Sequence, residues 1–205
     1  MAPVTTVRVF GKPITHAHHG SRHQRALAAL KNMHADGKSD QATQLTNELK
    51  KTTPATVSTT IGKVYNATGD EVKYVTVKNW SGSVVGTYPV SIMNGQWAVF
   101  QHVGTKGKDR QGSVAAVVYG IEDLADMMIA WNNPWKTATG GNNNAYCEMN
   151  GPGYFGDSYD WDAAYQKLLK SEIETTTTMS GYGTKVSIEA GGNAPIYTAI
   201  FYVET

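Results

Sequence analysis

Three short apolar runs in the middle of the chain constrain the fold more than any other feature. They cover Trp97–Val103, Val114–Tyr119 and Met127–Trp131, and Gly, Asn or Pro bounds each of them. Each run has the length of a strand and is rich in Val, Ile or aromatic residues, which is typical of buried strands rather than of pieces of helix. The pattern therefore favours a mainly β protein with a buried sheet.

Turn signals separate about nine strand-length segments after Ala55. One short helix interrupts them, with Ser158 or Asp160 as its N-cap and an apolar stripe that begins at Trp161. Short strands with hairpin-length turns indicate an antiparallel β-sandwich, and the Thr175–Thr178 run is expected to be a polar loop or the beginning of a strand. The predicted strands are Val57–Tyr65, Glu71–Lys78, Val84–Tyr88, Gln96–Val103, Val114–Ile121, Asp126–Trp131, Ala145–Met149, Thr184–Glu189 and Ile196–Val203.

A helical hairpin is predicted before these strands. Apolar residues at helical spacing mark a first helix at about His23–Ala35 and a second at about Asp40–Thr52, with Ser39 as the N-cap of the second. The chain is thus expected to consist of an N-terminal appendage, residues 1–54, and a sandwich domain, residues 55–205.

The two predicted helices need a partner surface, because isolated helices of this length are marginal in water. We expect them to dock either on the sandwich or on another subunit, and in the second case the hairpin would form a homo-oligomer. The docking residues are predicted to be Leu27, Leu30, Leu45 and Leu49. A short edge strand is also expected at Thr5–Phe10.

The charge balance excludes some partners. The chain has 18 Lys and Arg against 17 Asp and Glu, a net charge of +1, so no overall positive field attracts nucleic acid. No apolar run reaches the roughly 18 residues of a membrane-spanning helix. Because the N-terminus lacks the apolar segment of a secretory signal, we expect a cytoplasmic location.

Four histidines cluster before the first helix, at His16, His18, His19 and His23. Imidazoles at this spacing can bind Zn²⁺ or Cu²⁺, but no Cys or paired acidic ligand accompanies them. The alternative is a solvated segment before the helix. The sequence predicts neither a metal site nor a cofactor.

Catalytic signatures are equally sparse. No motif places a nucleophile and a base in the context that a known reaction requires. The lone Cys147 lies in a predicted strand, where a buried hydrophobic role is the expected one. We therefore predict a protein that is not an enzyme.

Several motifs are distributed along the chain besides the helical N-terminal segment. They are YNATG at Tyr65–Gly69, NGQW at Asn94–Trp97, GSVAAVVY at Gly112–Tyr119, GYGTKVSIEAGG at Gly181–Gly192 and IFYV at Ile200–Val203. With these motifs the chain resembles the plant 23 kDa jasmonate-induced proteins along most of its length. The resemblance implies a stress- and defence-responsive protein without an established biochemistry.

A second set of features begins at Val72. Ser81-Gly82, Pro89 and the Gly95–Val99 segment follow one another at a spacing that is similar to that of actinoporins, and Trp131–Trp135 is similar to their Ser-Val-Pro turn. Fungal fruit-body lectins and plant pore-formers belong to the same wider group. This resemblance implies an actinoporin-like β-sandwich with flanking helices. It does not imply pore formation, since the N-terminal hairpin is polar with a weak apolar stripe.

The actinoporin resemblance also implies a ligand pocket between a sheet end and the helix. Ser81, Pro134 and Tyr165 keep the residue type of the phosphocholine pocket of that family, while Trp161 replaces a Tyr and still offers a π face to an ammonium group. Asn132 and Gln166 depart from the pattern, which favours a glycan or mixed polar ligand slightly over phosphocholine alone. Ser81, Asn132, Pro134, Trp161 and Tyr165 are expected to line one cavity.

Aromatic residues near strand ends give a second reason to expect ligand binding there. Trp131, Trp135, Trp161 and Tyr165 suit a sugar ring or a choline group. The predicted site is therefore Ser81, Asn132, Pro134, Trp135, Trp161 and Tyr165. The simpler explanation is that Trp161 and Tyr165 only pack the helix against the sheet.

Two hypotheses for the function follow. The first is a non-enzymatic plant stress or defence protein whose sandwich binds a carbohydrate or the headgroup of a membrane lipid. The second is a structural or interaction protein that assembles through its helical hairpin and has no small-molecule ligand.

Overall fold

Two β-sheets pack face to face, and helices cover part of the outer face of each. The structure is a computed structural model that describes residues 8–17, 20–105, 112–135 and 142–204. The strands, in chain order, are β1 (Val9–Phe10), β2 (Thr59–Ala67), β3 (Val72–Ser81), β4 (Ser83–Val84), β5 (Ser91–Ile92), β6 (Trp97–Val103), β7 (Ser113–Ile121), β8 (Ala125–Asn133), β9 (Asn144–Asn150), β10 (Glu174–Met179), β11 (Tyr182–Ile188) and β12 (Ile196–Val203). The α-helices are α1 (Arg22–Lys31), α2 (Lys38–Thr52) and α3 (Trp161–Lys170).

The strand order confirms the predicted β-sandwich. The seven-stranded sheet has the order β1–β6–β2–β12–β11–β10, with β4 also paired to β6, and the five-stranded sheet has the order β5–β3–β7–β8–β9. Neighbouring strands are antiparallel except β2 and β12, which pair in parallel. Local turn patterns indicate hairpins only, so they give no sign of this pairing between strands that lie far apart in the sequence.

One predicted strand is interrupted in the structure, and a segment that was expected to be a polar loop or the beginning of a strand lies in a strand. Val84–Tyr88 was expected to be one strand, but β4 ends at Val84 and β5 begins at Ser91. Gly86 has a φ of +75° and Pro89 lacks an N–H group, so the chain turns between them. Thr175–Thr178 lies within β10, where β-branched side chains pair with β11.

The space between the sheets is filled by apolar and aromatic side chains. Every residue of β7 and β8 is buried, because the inner sides of these strands face the other sheet and their outer sides face α3. Cys147 lies in the same core with 3% exposure, which confirms its predicted hydrophobic role.

The N-terminal hairpin is formed much as the sequence predicts. Ser21 and Gln24 form a capping box at the start of α1. The helix ends at Lys31 rather than near Ala35: the Asn32 side chain donates to Ala28 O, and Met33 N bonds to Leu30 O, so the α-helical pattern is replaced by a tighter turn. Gly37, with a φ of +67°, and not Ser39, is the N-cap of α2.

The hairpin docks on the outer face of the seven-stranded sheet. Leu30, Leu45 and Leu49 pack in the cluster that contains Tyr65 and Trp97, as predicted. Leu27 is half-buried but does not belong to that cluster. The apolar side of the hairpin therefore faces its own sandwich.

A buried arginine ties the hairpin to the sandwich. Arg25 is only 2% exposed; its Nε donates to Gly69 O at 2.8 Å and its Nη2 to Asp70 Oδ1 at 2.6 Å. Arg22 also pairs with Asp70. These two guanidinium groups lower the pKa of the Asp70 carboxyl against the opposing effect of its partial burial.

The third helix lies on the opposite side of the molecule. Asp160 caps α3 by accepting a hydrogen bond from Ala163 N, and Ala164 and Leu168 pack on the outer face of the five-stranded sheet. No helix in the described ranges is long and apolar enough to cross a membrane.

Candidate functional site

A row of side chains crosses the end of the five-stranded sheet beneath α3. Ser81 pairs with Val114, Val114 with Asn132, and Asn132 with Asn144. Residues that pair directly across strands point to the same face of a sheet, and Val114 belongs to the cluster that packs against α3. The two predicted residues Ser81 and Asn132 are therefore on the outer face, two strands apart.

Ser81 is connected to the predicted Pro134–Trp135 segment through Gly112. The Ser81 hydroxyl donates to Gly112 O at 2.8 Å. Gly112 has a φ of +98°, and a Cβ atom there would lie 2.7 Å from both Pro134 Cα and Trp135 N. Only glycine allows this close approach, so three predicted residues are neighbours around one glycine.

Asn132 is fixed by a chain of amide hydrogen bonds. Its Nδ2 donates to Asn144 Oδ1 at 2.9 Å, and Asn144 Nδ2 donates to Ser171 O at 2.6 Å. Ser171 directly follows α3. The end of the sheet is thereby joined to the C-terminal end of the helix.

The helix aromatics meet a tryptophan of β3. Trp161 and Tyr165 are four residues apart and so lie on the same side of α3. Trp80 stacks on Tyr165 with ring centroids 5.2 Å apart, and its centroid is 6.3 Å from that of Trp161 at a steep angle. All three rings are half-buried, so the packing hypothesis is correct in part while part of each ring remains in contact with solvent.

Trp80 is the residue that the sequence analysis missed. Strict alternation along a strand would place it on the opposite face from Ser81. Trp80 follows the alternation from Val77, which packs in the core, and so lies on the outer face with α3. A β-bulge between Asn79 and Ser81 shifts the register and brings Ser81 to the same face. The NWSG motif at Asn79–Gly82 contained the only signal, a glycine after an aromatic residue near a strand end. Trp80 Nε1 is buried and has no hydrogen-bond partner.

The six predicted residues thus lie in two adjoining groups. One consists of Ser81, Asn132 and the Pro134–Trp135 segment, and the other of Trp161 and Tyr165 around Trp80. Trp161 begins α3, whereas Asn144 contacts Ser171 about 15 Å further along the helix axis. We call the combined surface the α3 face. The single cavity that was expected to join both groups stays a prediction.

Trp131 does not belong to this surface, although the sequence analysis grouped it with the ligand-binding aromatics. It is fully buried between the sheets, with its ring centroid 5.2 Å from Phe100 and 5.5 Å from Tyr197. Its neighbour Asn132 points to the opposite side of β8. Alternation along the strand separates the core residue from the surface residue.

A serine and a histidine of the core meet an exposed asparagine in an order that resembles a hydrolase triad. His102 Nδ1 lies 2.8 Å from Ser113 Oγ, and His102 Nε2 lies 3.1 Å from Asn79 Oδ1. Ser113 and His102 are both fully buried, and Ser113 Oγ also lies 2.8 Å from Thr60 Oγ1. A nucleophile needs access to its substrate, so this network joins strands rather than catalysing a reaction.

The histidines before α1 show no metal geometry. His16 Nδ1 lies 2.9 Å from a guanidinium nitrogen of Arg25, while His18 and His19 lie outside the described residues. Within the described part of the chain, no group of three His, Cys, Asp or Glu side chains is placed to hold a metal ion.

A family model described as Nakanori-like protein matches residues 11–203. The chain belongs to the Nakanori-like family. Two plant proteins are similar in sequence. The 23 kDa jasmonate-induced protein of Hordeum vulgare is 31% identical over 170 residues, which cover 80% of this chain and 78% of that protein. A jasmonate-induced protein homolog of Atriplex canescens is 34% identical over 117 residues, or 55% and 60% of the two chains.

The solved structure of Nakanori supports the fold of this Nakanori-like chain. The crystal structure of the lipid-binding protein Nakanori has a TM-score of 0.85 at 22% identity and covers 95% of this chain and 99% of its own. A lectin of Xerocomus chrysenteron has a TM-score of 0.49 at 13% identity, covering 71% and 99%. The predicted resemblance to jasmonate-induced proteins and the mainly β fold are confirmed.

Proposed function

We propose that this protein is a non-enzymatic binding protein that recognises the polar headgroup of a membrane lipid through the α3 face. The observation that carries the proposal is the half-exposed cluster of Trp80, Trp161 and Tyr165 beside Ser81 and Asn132. Its aromatic side chains have an apolar body and a polar end, which is the combination favoured at a membrane–water interface.

The polar groups of the same surface suit a phosphate or hydroxyl ligand. Trp80 Nε1 is a donor without a partner, and a buried donor is costly unless something accepts its hydrogen bond. An oxygen of a headgroup that enters beside Trp80 would relieve this cost. The similarity in fold to Nakanori, which is described as a lipid-binding protein, supports the same ligand class.

A glycan is the rival ligand for this face. A sugar ring would also stack on Trp161 or Tyr165, and Asn132 would bond to its hydroxyls. Lipid is favoured because Trp80, which the sequence analysis did not include, adds a third aromatic ring to the surface.

The plant relatives indicate the biological setting in which the protein acts. Two of them carry the description jasmonate-induced, and we infer a role in plant stress or defence, exerted in the cytoplasm. Assembly through the hairpin is less favoured as a function, since its apolar side packs on the seven-stranded sheet of the same chain.

Vesicle pelleting with matched variants tests the proposal. Vesicles of phosphatidylcholine, phosphatidylserine or sphingolipid are compared for the wild-type protein, Trp161→Ala, Trp161→Phe and the exposed α2 control Gln41→Ala. If Trp161 contacts the headgroup, Trp161→Ala should weaken binding by at least about 1 kcal/mol, or about fivefold, and Trp161→Phe by less. The Gln41 variant should bind normally.

A glycan array run beside the vesicles separates the two ligand classes. Glycan binding that is weakened by both Trp161→Ala and Tyr165→Ala, together with no binding to any of the vesicles, would replace lipid by carbohydrate as the ligand of the α3 face. Equal vesicle binding by wild-type protein and Trp161→Ala, with unchanged circular dichroism, would exclude the α3 face as the lipid-binding surface.

A further inference from the structure

A separate cleft lies on the other side of α3. It has a volume of about 480 Å³, which is large enough for a small ligand. The residues that matter for its chemistry are Tyr154, Ser158, Tyr159, Asp160, Ala163 and Lys167. None of them was predicted as a site residue.

Helix geometry separates this cleft from the α3 face. Ala164 and Leu168 form the buried stripe of α3. Trp161 and Tyr165 lie on one side of that stripe, while Ala163 and Lys167, also four residues apart, lie on the other. Tyr159 connects the two surfaces, since its ring centroid lies 4.9 Å from that of Trp161, so the variants that test the cleft are placed at Tyr154 and Asp160 instead.

The wall of the cleft is a fixed aromatic ring. Tyr154 is 46% exposed although it is a large side chain. Its centroid lies 5.2 Å from Phe155 at 89° and 5.5 Å from Tyr159 at 59°, contacts that hold the ring in place. Ala163 on the helix has a short side chain, which leaves room in front of the ring.

The rim of the cleft carries groups of both charges. Asp160 uses Oδ1 to cap α3 through Ala163 N, which leaves its second carboxylate oxygen as an acceptor. Lys167 Nζ donates to Glu148 Oε2 at 3.0 Å and has two further N–H groups.

Glu148 also holds the side chains at the bottom of the cleft in place. Its Oε2 accepts from Tyr159 at 3.2 Å and from Tyr146 at 2.8 Å, and its side chain is only 16% exposed. Lys167 and Tyr159 are thus held by one carboxylate before any ligand arrives, which lowers the entropic cost of binding.

These groups discriminate between classes of ligand. An organic cation would face Lys167, and an anion would face Asp160, so each would meet one like charge. A neutral ring with an apolar face and several hydroxyls meets neither problem. It can stack on Tyr154, donate to Asp160 and accept from Lys167 and Ser158. We infer that this cleft binds a sugar ring.

Titration with simple sugars tests the inference. The probes are N-acetylglucosamine and the methyl glycosides of glucose, galactose and mannose at millimolar concentrations, with choline and inorganic phosphate as charged comparisons. Binding is measured by calorimetry and saturation-transfer NMR. At least one should bind. Tyr154→Ala should weaken it about five- to tenfold, while Tyr154→Phe, which keeps the ring, should bind within about twofold of wild type.

Two further variants separate a ligand effect from a folding effect. Asp160→Asn still caps the helix but loses the carboxylate, and it should weaken sugar binding with unchanged circular dichroism. Tyr165→Ala, which removes the ring that stacks on Trp80, should leave sugar binding intact, so this result does not depend on the α3 face. The inference is overturned if no probe binds, if choline or phosphate binds the cleft instead, or if binding survives both Tyr154→Ala and Asp160→Asn.

Discussion

The buried histidine between the sheets should make the fold sensitive to mild acid. His102 is fully buried, and its two ring nitrogens contact Ser113 and Asn79. Burial lowers the pKa of His102 from 6.5 to about 4, because the protonated ring cannot be solvated inside the sandwich. The folded protein therefore keeps this ring neutral where the unfolded chain already protonates it.

The size of the stability loss in acid follows from the difference between the pKa of His102 in the unfolded and in the folded state. Since His102 has a lower pKa in the folded state, the unfolded state binds more protons as the pH falls from about 6.5 to about 4, and stability declines over that window. At one pKa unit for each 1.4 kcal/mol, the full loss is about 3 kcal/mol, and the loss at about pH 4.5 is about 2.5 kcal/mol.

Urea unfolding at about pH 7 and about pH 4.5 measures this loss. The comparison is between wild type and His102→Gln, whose amide can also donate and accept hydrogen bonds but does not titrate. The variant is expected to be less stable at neutral pH, so the quantity compared is the drop in unfolding free energy between the two pH values. Other titrating groups contribute to both proteins alike. If wild type loses no more than His102→Gln, the ring is not held neutral by burial.

Two further substitutions test how the helices are attached to the two sheets. Asp70→Asn removes the carboxylate that Arg22 and Arg25 share and should cost about 2 kcal/mol at neutral pH. Amide hydrogen exchange in α1 should rise selectively; uniform exchange across the chain would contradict this. The cost should shrink as the pH falls from the normal pKa of Asp70 towards its lowered folded-state pKa, below which the wild-type pair is also lost. Leu168→Ala empties a fully buried position under α3 and should cost about 2–5 kcal/mol in chemical denaturation. A loss well below that range would mean that α3 is not packed as described.

The elements that the sequence predicted well are those whose burial is uniform. β7 and β8 are covered on both sides, so they appear as unbroken apolar runs. The apolar stripe of α3 and its Asp160 cap could be predicted equally well, since both depend on residues close together in the sequence. Local patterns carried less information at β10, where exposed and half-buried threonines alternate, and none about the parallel β2–β12 pair.

In the candidate site, too, residues marked by a local pattern could be predicted, and residues whose position depends on strand pairing could not. Ser81, Asn132 and Trp161 could be named because a motif or a helical stripe marks each of them. Trp80 was not grouped with Ser81, because the two share a face only through the bulge after Asn79, which the pairing of β3 with β7 reveals. Trp131 was misplaced for the related reason that the face of a strand residue depends on register.

The uneven covering of the two sheets explains why both proposed sites flank α3. Two helices of 10 and 15 residues lie on the seven-stranded sheet, and their apolar side chains seal much of its outer face. The five-stranded sheet is about 20 Å across at the usual spacing of strands. Among the described residues, the helix on this sheet is α3, which is about 10 Å wide and about 15 Å long and contacts β8 and β9 at one edge of the sheet. A helix in that position leaves the outer face towards β3 without a helix on one side and borders the sheet edge on the other, so the aromatic residues beside α3 cannot all be buried. Trp80, Trp161 and Tyr165 lie on the first side and Tyr154 and Tyr159 on the other, which makes this side of the molecule the place to look for ligands.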